Sequence, residues 1–314
     1  MVDLDRKLAA VALAHHGIIT LADVEAAGGN HNYVQARIDA GRWTVVHRGV
    51  YRLAGVAETY EAQVFAAICA AGPGAVASHF CAARLHGIGF ARAIPELSIA
   101  RGRFHRPKAI TVHTSTDLES SSIVHIAGCI PTTDPNRTLL DLARRLRPNS
   151  LRHAVNDARR ARLVDWQSLL ATLVSHARRG RPGIRRFREV VARGVAENDL
   201  TETDSEQVAV ALMREAGLPD PTLQHEVRAA DGRVVARMDL AYVDLRINYE
   251  IDGSIHDDPD VAAKDDERDH ELRTRYGWIV RRIPYRIPID EPRRFLAIVR
   301  ETLRLRNDSN AEAV

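Results

Sequence analysis

The chain has 314 residues, 45% of them apolar and 27% charged, with a formal net charge of +3. That length leaves room for two or three domains, and the composition excludes a disordered or fibrous protein. Three cysteines without paired spacing exclude a disulfide framework or zinc ribbon, no apolar run of about 18 residues could span a membrane, and the amino terminus MVDLDRK is no signal peptide, so a reducing, cytoplasmic setting is expected.

Leu4 to His16 carries Leu4, Leu8, Val11, Ala12 and Leu13 at helical spacing and stops at Gly17. Ile18-Ile19-Thr20 reads as extended, Leu21 to Ala27 as a second short helix, and Asn30 as the cap of a third that holds Tyr33, Val34, Arg37 and Ile38. Trp43 to Val46 and Val50 to Leu53 form two β-rich runs around His47-Arg48-Gly49. Three short helices followed by a hairpin with an arginine near its tip describe a winged helix-turn-helix, whose third helix enters the major groove and whose wing meets backbone or minor groove. The expected DNA-contacting residues are Asn30, His31, Asn32, Gln35 and Arg37, with Arg42 and Arg48 near phosphates. Residues 1–57 hold 6 basic and 5 acidic side chains, so local charge gives this reading little help.

Ile18-Ile19-Thr20, Gly41-Arg42-Trp43 and Arg48-Gly49-Val50-Tyr51 resemble the amino-terminal domain of AbiEi-type antitoxins. The likeness continues through Ser78-His79, Leu85-His86-Gly87, Ile130-Pro131-Thr132 and Arg137 to Ala143, covering roughly the first 145 residues. It implies a transcriptional autoregulator of an abortive-infection toxin–antitoxin pair, with DNA and a cognate toxin or defence protein as partners.

The middle begins with helices over Thr59 to Ala71 and Ser78 to His86, followed by strand-like runs at Leu97 to Ala100, Ala109 to His113 and Ile123 to Ile126. His79, Cys81 and His86 invite a metal reading. His79 and His86 share a helix face but have no third ligand in register, so these residues are read as packed or capping. Arg137 to Arg193 holds 15 arginines against 4 acidic residues, a local +11, on successive helices, whereas Glu197 to the carboxyl terminus carries a local −9. A basic block followed by an acidic one suits a protein that grips a polyanion with one and holds a cation with the other; the alternative is a solvated helical surface.

Thr203 to Ala216 reads as a helix in which Thr203 and Glu206 make a capping-box signature, so Glu206 is either a cap or an acidic accessory to a metal. After it, Arg237 to His256 gives two strand-like runs separated by Val243 to Arg246 and closed by Gly253. Period-two geometry puts Glu250 and Asp252 on one face, with Tyr249 and Ile251 on the other. If the runs pair as a hairpin, Asp239 falls opposite the end of the second, and three carboxylates converge where a cation would relieve their repulsion. Val261 to Tyr276 reads as a helix, Trp278 to Ile283 as a buried strand, and Phe295 to Leu303 as a last helix.

Met238-Asp239, Glu250-Ile251-Asp252-Gly253, His256, Asp265, Arg268, Asp269 and Gly277-Trp278 resemble the very-short-patch-repair (Vsr)-like endonucleases of the PD-(D/E)XK fold, over roughly Thr201 to Leu303. The resemblance implies Asp239 and Glu250 as ligands for Mg2+ or Mn2+, and Asp252 is expected to complete the shell or position water. Where many members of the wider superfamily carry Lys, this chain has Asp252, which leaves His256 as the candidate general base and Lys264 as a more distant one. Glu206, Lys264, Asp265 and Arg268 are accessory candidates.

The expected architecture is multidomain α+β. It comprises a winged helix-turn-helix at 1–57, an AbiEi-like α/β domain at 58–146, an arginine-rich helical connector at 147–198, a nuclease-like domain at 199–306 and a disordered tail at 307–314. Two functions follow: a DNA-binding protein with a metal-dependent endonuclease domain in phage defence or DNA repair, or a transcriptional regulator whose nuclease fold is a binding or dimerisation module.

Overall fold

The structure is a computed structural model that describes residues 2–90, 94–101, 109–198, 200–252 and 259–312. The chain is a mixed α and β protein that divides into two compact units, Met1–Val164 and Asp165–Val314. No helix among the described residues is long and apolar enough to cross a membrane.

The first unit opens with α1 (Val2–Ala14), β1 (Ile18–Thr20), α2 (Leu21–Ala26), α3 (His31–Asp39), β2 (Trp43–His47) and β3 (Val50–Leu53). The strands form an antiparallel sheet in the order β1-β3-β2. Local chemistry sets the helix starts: Thr20 and Asp23 close a capping box on α2, and the Asn30 side chain accepts the Tyr33 N–H at 3.0 Å to start α3. Strand alternation sends neighbouring residues to opposite faces. Ile19 and Tyr51 join Leu8, Ala12, Val24, Val34 and Trp43 in the core beneath α1 to α3. Ile18 and Val50 turn the other way, onto α4 (Tyr60–Ala71), and share a second core with Val64, Phe65 and Ile68. The expected boundary at residue 57 therefore runs between segments that share a core.

The unit continues with β4 (Val76–Ala77), α5 (His79–Leu85), β5 (Glu96–Ala100), β6 (Thr111–Ser115), β7 (Ile123–Ile126), β8 (Ile130–Thr133), α6 (Pro135–Leu142) and α7 (Pro148–Arg160). Its second sheet has the order β6-β5-β4-β8-β7. Arg137 is buried within this unit, with Nε on Asp141 at 2.9 Å and one NH group on the Asp117 carbonyl at 2.6 Å.

The second unit comprises α8 (Trp166–His176), α9 (Ile184–Ala196), α10 (Glu202–Glu215), β9 (Thr222–Arg228), β10 (Val234–Tyr242), β11 (Ile247–Asp252), α11 (Pro259–Thr274), β12 (Ile279–Pro284), α12 (Ile287–Asp290) and α13 (Pro292–Glu312). The four strands lie in the order β12-β11-β10-β9, the first three in sequence pairing antiparallel and β12 returning parallel to β11 after α11. The segment expected to be a separate connector is divided: α7 lies in the first unit, while α8 and α9 pack within the second. Gln167 on α8 reaches Asp204 on α10 at 2.9 Å, Arg188 on α9 pairs with Glu215 at 3.0 Å, and a Cβ at Gly194 would meet the Trp166 ring at 2.0 Å.

Three further expectations change. The capping box on α10 uses Thr201 and Asp204, two residues before Thr203 and Glu206, so Glu206 is no cap. Strand β9 was not expected because TLQHEVR is mostly exposed and shows no clean alternation. The tail expected from Asn307 is helical to Glu312, since nothing in Asn307 to Glu312 breaks a helix and the Ser309 hydroxyl donates back to the Leu305 carbonyl at 2.9 Å.

Candidate functional site

Two sets of side chains were expected to act, one in each unit. On α3, His31, Asn32 and Gln35 are exposed, and Arg42 and Arg48 are exposed after the helix and at the β2–β3 turn. The charge of Arg42 acts on Asp5, beside the Arg37 pair. Asn30 spends its carbonyl oxygen on the helix cap. Arg37 is differently employed: its guanidinium contacts Asp5 through Nε at 3.1 Å and NH2 at 2.9 Å and stacks 4.2 Å from the centre of the Tyr33 ring. The Tyr33 hydroxyl also donates to Asp5, and this bond, with help from Arg37, holds the Asp5 carboxyl below its usual range against the opposing effect of burial. Arg37 thus fastens α3 to α1 and is not presented to a ligand, contrary to the expectation for it.

The second set lies on the four-stranded sheet. The register pairs Leu240 with Tyr249 and Ala241 with Asn248, and one further step brings Asp239 opposite Glu250. Asp239 accepts the Ile251 N–H at 3.1 Å through one oxygen and the Gln224 amide at 3.3 Å through the other. The same Gln224 nitrogen donates to Glu206 on α10 at 3.2 Å, so one amide on β9 joins two carboxylates. Burial raises both of these carboxyls above their usual range, and Glu206 is raised further by the charge of Asp239.

Glu250 is buried, and burial raises its carboxyl too, opposed by Arg268 and Arg282. Arg282 stands at the paired position on parallel strand β12. Its guanidinium reaches Glu250 at 3.4 Å, Asp252 at 3.0 Å and Asp269 at 3.1 Å, while Arg268 reaches Glu250 at 3.4 Å. Asn248 donates to Glu250 at 3.2 Å, but its side-chain carbonyl oxygen is buried without a hydrogen-bond partner among the described residues. On the opposite face, Tyr249 is buried and its hydroxyl donates to the Val299 carbonyl at 3.1 Å. His256 lies outside the described residues, and Lys264 and Asp265 fall on α11 where side chains are outside the description.

The donor set suits a hard divalent cation at one end, where Glu206 and Asp239 offer desolvated carboxylate oxygens. At the other end a cation is already supplied, because Arg282 compensates Glu250 and Asp252. Asp239, Glu250 and Asp252 do not form a three-donor cluster within 4.8 Å among the described residues. The sequence reading did not anticipate Gln224 or Arg282; a doubly charged pair, Arg281-Arg282, inside a strand otherwise read as buried was the available signal for the second.

Residues 6–54 match the family model of the AbiEi antitoxin transcriptional regulators. This segment spans most of α1 through β3 and contains every residue of the expected DNA-facing set. No match to the chain is found among curated proteins.

Proposed function

We propose that this protein is a DNA-binding transcriptional regulator of the antitoxin type, whose residues 1–57 act as a winged helix-turn-helix. The similarity of residues 6–54 to AbiEi regulators carries this reading. The exposed side chains around α3 and the β2–β3 turn support it. In this arrangement Asn32 and Gln35 meet base edges, His31 lies on the same exposed face, and Arg42 and Arg48 meet phosphates. A cognate toxin or defence protein is the expected protein partner, and the module's output is repression or autoregulation. The test is binding of the full chain to duplex DNA from its own upstream region, where sequence-selective, salt-sensitive binding is expected.

Within the second unit the order α10, three antiparallel strands, α11 and a parallel strand supports the reading of a Vsr-like PD-(D/E)XK fold. A second reading, metal-dependent phosphodiester cleavage, is favoured by one observation, the convergence of Glu206 and Asp239 on a single Gln224 amide. Asp239 and Glu250, with Asp252 or Glu206, would hold Mg2+ or Mn2+, which would supply charge stabilisation at a phosphate. Gln224 orients the Glu206 and Asp239 oxygens, and Arg282 positions Asp252. Incubating the protein with mixed DNA substrates and Mg2+ or Mn2+ distinguishes a cleaving protein from a regulator that uses this fold for binding alone.

A further inference from the structure

A different constellation lies in the first unit, apart from the DNA-facing residues. His79 begins α5, Glu96 begins β5, and His113 is central in β6. Parallel pairing sets Ser98 beside His113, and Glu96 is two residues before Ser98, so Glu96, Ser98 and His113 share one face of the sheet. The Ser78 N–H donates to the Glu96 carbonyl at 2.9 Å, which brings the start of α5 to that edge. One donor atom each from His79, Glu96 and His113 lies within 4.8 Å of the other two. His79 and Glu96 are only 5% exposed.

Several features go beyond proximity. The His113 Nε2 atom is buried without a hydrogen-bond partner among the described residues, at a position where an unsatisfied imidazole nitrogen has a cost. The two rings stack with centroids 3.9 Å apart. His79 has a φ of +52°, a left-handed conformation uncommon outside glycine. Its Nδ1 lies 2.9 Å from the Ser78 hydroxyl, which in turn accepts from Ser98 at 2.8 Å. When Nδ1 donates to Ser78, Nε2 is left with its lone pair, the arrangement by which an outer hydrogen bond orients a metal-binding imidazole. Burial disfavours the charged form of both rings.

We propose that His79, Glu96 and His113 form a binding site for a divalent transition metal of the zinc class, joining α5 to β5 and β6. Two imidazoles and a carboxylate match the ligand set of three-ligand zinc sites, with a fourth position left to water or a ligand. Bonds of roughly 2.0–2.1 Å place tetrahedral donors about 3.3 Å apart, so the three side chains draw together on binding. The Glu96 carboxylate also accepts the Phe80 N–H at 3.3 Å and lies 3.8 Å from Arg145. Arg145 is 37% exposed, and its charge, with those of Arg137 and Arg144, acts on His79. Sequence inspection missed the site because it sought a third ligand along the helix that carries His79 and His86. His86 is engaged elsewhere, 2.8 Å from the Thr133 carbonyl.

The test is a titration of the chelator-treated full-length protein with Co2+, followed by displacement with Zn2+. We expect the visible absorption of low-coordinate Co2+ to saturate at one equivalent per chain, and Zn2+ to abolish it and raise the melting temperature. Glu96→Gln and His113→Gln should each remove the absorption while retaining the far-ultraviolet dichroism of the wild type, and Asp239→Asn should leave it unchanged. Wild-type protein that gives no such spectrum overturns the proposal, whatever the variants do. So does a spectrum that survives in folded Glu96→Gln and His113→Gln, or that disappears in Asp239→Asn.

Discussion

Glu206 and Asp239 come from a helix and a strand 33 positions apart in the chain, yet they take hydrogen bonds from the same nitrogen of Gln224, at 3.2 and 3.3 Å. One neutral amide cannot cancel two charges. The pair is held together at a cost that falls when a proton or a cation arrives.

That cost has a definite sign. Glu206, Asp239 and Glu250 all sit above their ordinary values of 4.5, 3.8 and 4.5, so the folded protein binds their protons more tightly than the unfolded chain does. The stability they contribute is complete below those ordinary values and is lost as pH rises through the raised ones. Asp239→Asn should flatten this part of the profile and be at least as stable as wild type near neutral pH. Its remaining oxygen can still accept the Ile251 N–H, and Gln224 keeps Glu206. Urea denaturation across the acidic range measures the effect, and a large loss of stability near pH 7 would mean that the Asp239 charge is itself structural.

Mg2+ or Mn2+ that binds only the folded protein should stabilise it by ~2.7 kcal/mol at a hundredfold excess over its dissociation constant. Asp239→Asn and Glu206→Gln should each diminish the response. Thermal melts with and without the ion provide the measurement, and an unchanged wild-type melt would leave these carboxylates without a cation to hold.

Arg282 should affect stability and metal response in opposite directions. Its guanidinium contacts Glu250, Asp252 and Asp269, and the Asp269 carboxylate is 5% exposed. Arg282→Gln should cost about 3 kcal/mol in urea denaturation, because charges built around it lose their partner. The same change should enlarge the melting-temperature rise caused by Mg2+, since Glu250 and Asp252 then lack their resident cation.

Two arginines of the amino-terminal segment should separate fold from binding. Arg37→Ala removes the Asp5 pair and the stacking on Tyr33 and should lower stability by about 1 kcal/mol. Arg48→Ala should leave stability within about 0.5 kcal/mol of wild type, as an exposed surface change does. It should nevertheless weaken binding to all DNA sequences alike and reduce the salt slope by roughly 0.9, the share of one phosphate contact. Parallel melts and salt titrations of the two variants check both halves.

Much of the amino-terminal segment was legible because its signals are local: Asn30 caps the third helix, and Ile18 to Thr20 and Val50 to Leu53 are apolar runs bounded by turns. Arg37 was misread because its partner Asp5 lies 32 residues earlier, beyond any local pattern. The sequence Thr201-Glu-Thr-Asp-Ser-Glu206 contains two overlapping capping boxes, and nothing within the stretch chooses between them. The structure takes the first, which leaves Glu206 to Gln224 and Asp239. Alternation placed Glu250 and Asp252 on one face, but their guanidinium partner comes from β12, whose pairing with β11 is set only by the fold. The arginine excess between Arg137 and Arg193 also looked freer than it is, since Arg137 and Arg188 are buried in ion pairs.

The central claim is that residues 1–57 read DNA sequence, and a binding selection from random duplexes with the full-length protein tests it most directly. The account predicts a single enriched motif. Asn32→Ala and Gln35→Ala should blur that motif at individual positions, each by about 1–3 kcal/mol of discrimination, whereas Arg48→Ala should recover the same motif at lower affinity. Recovery of no enriched motif by the wild-type protein, at salt low enough for binding to be measurable, would contradict it.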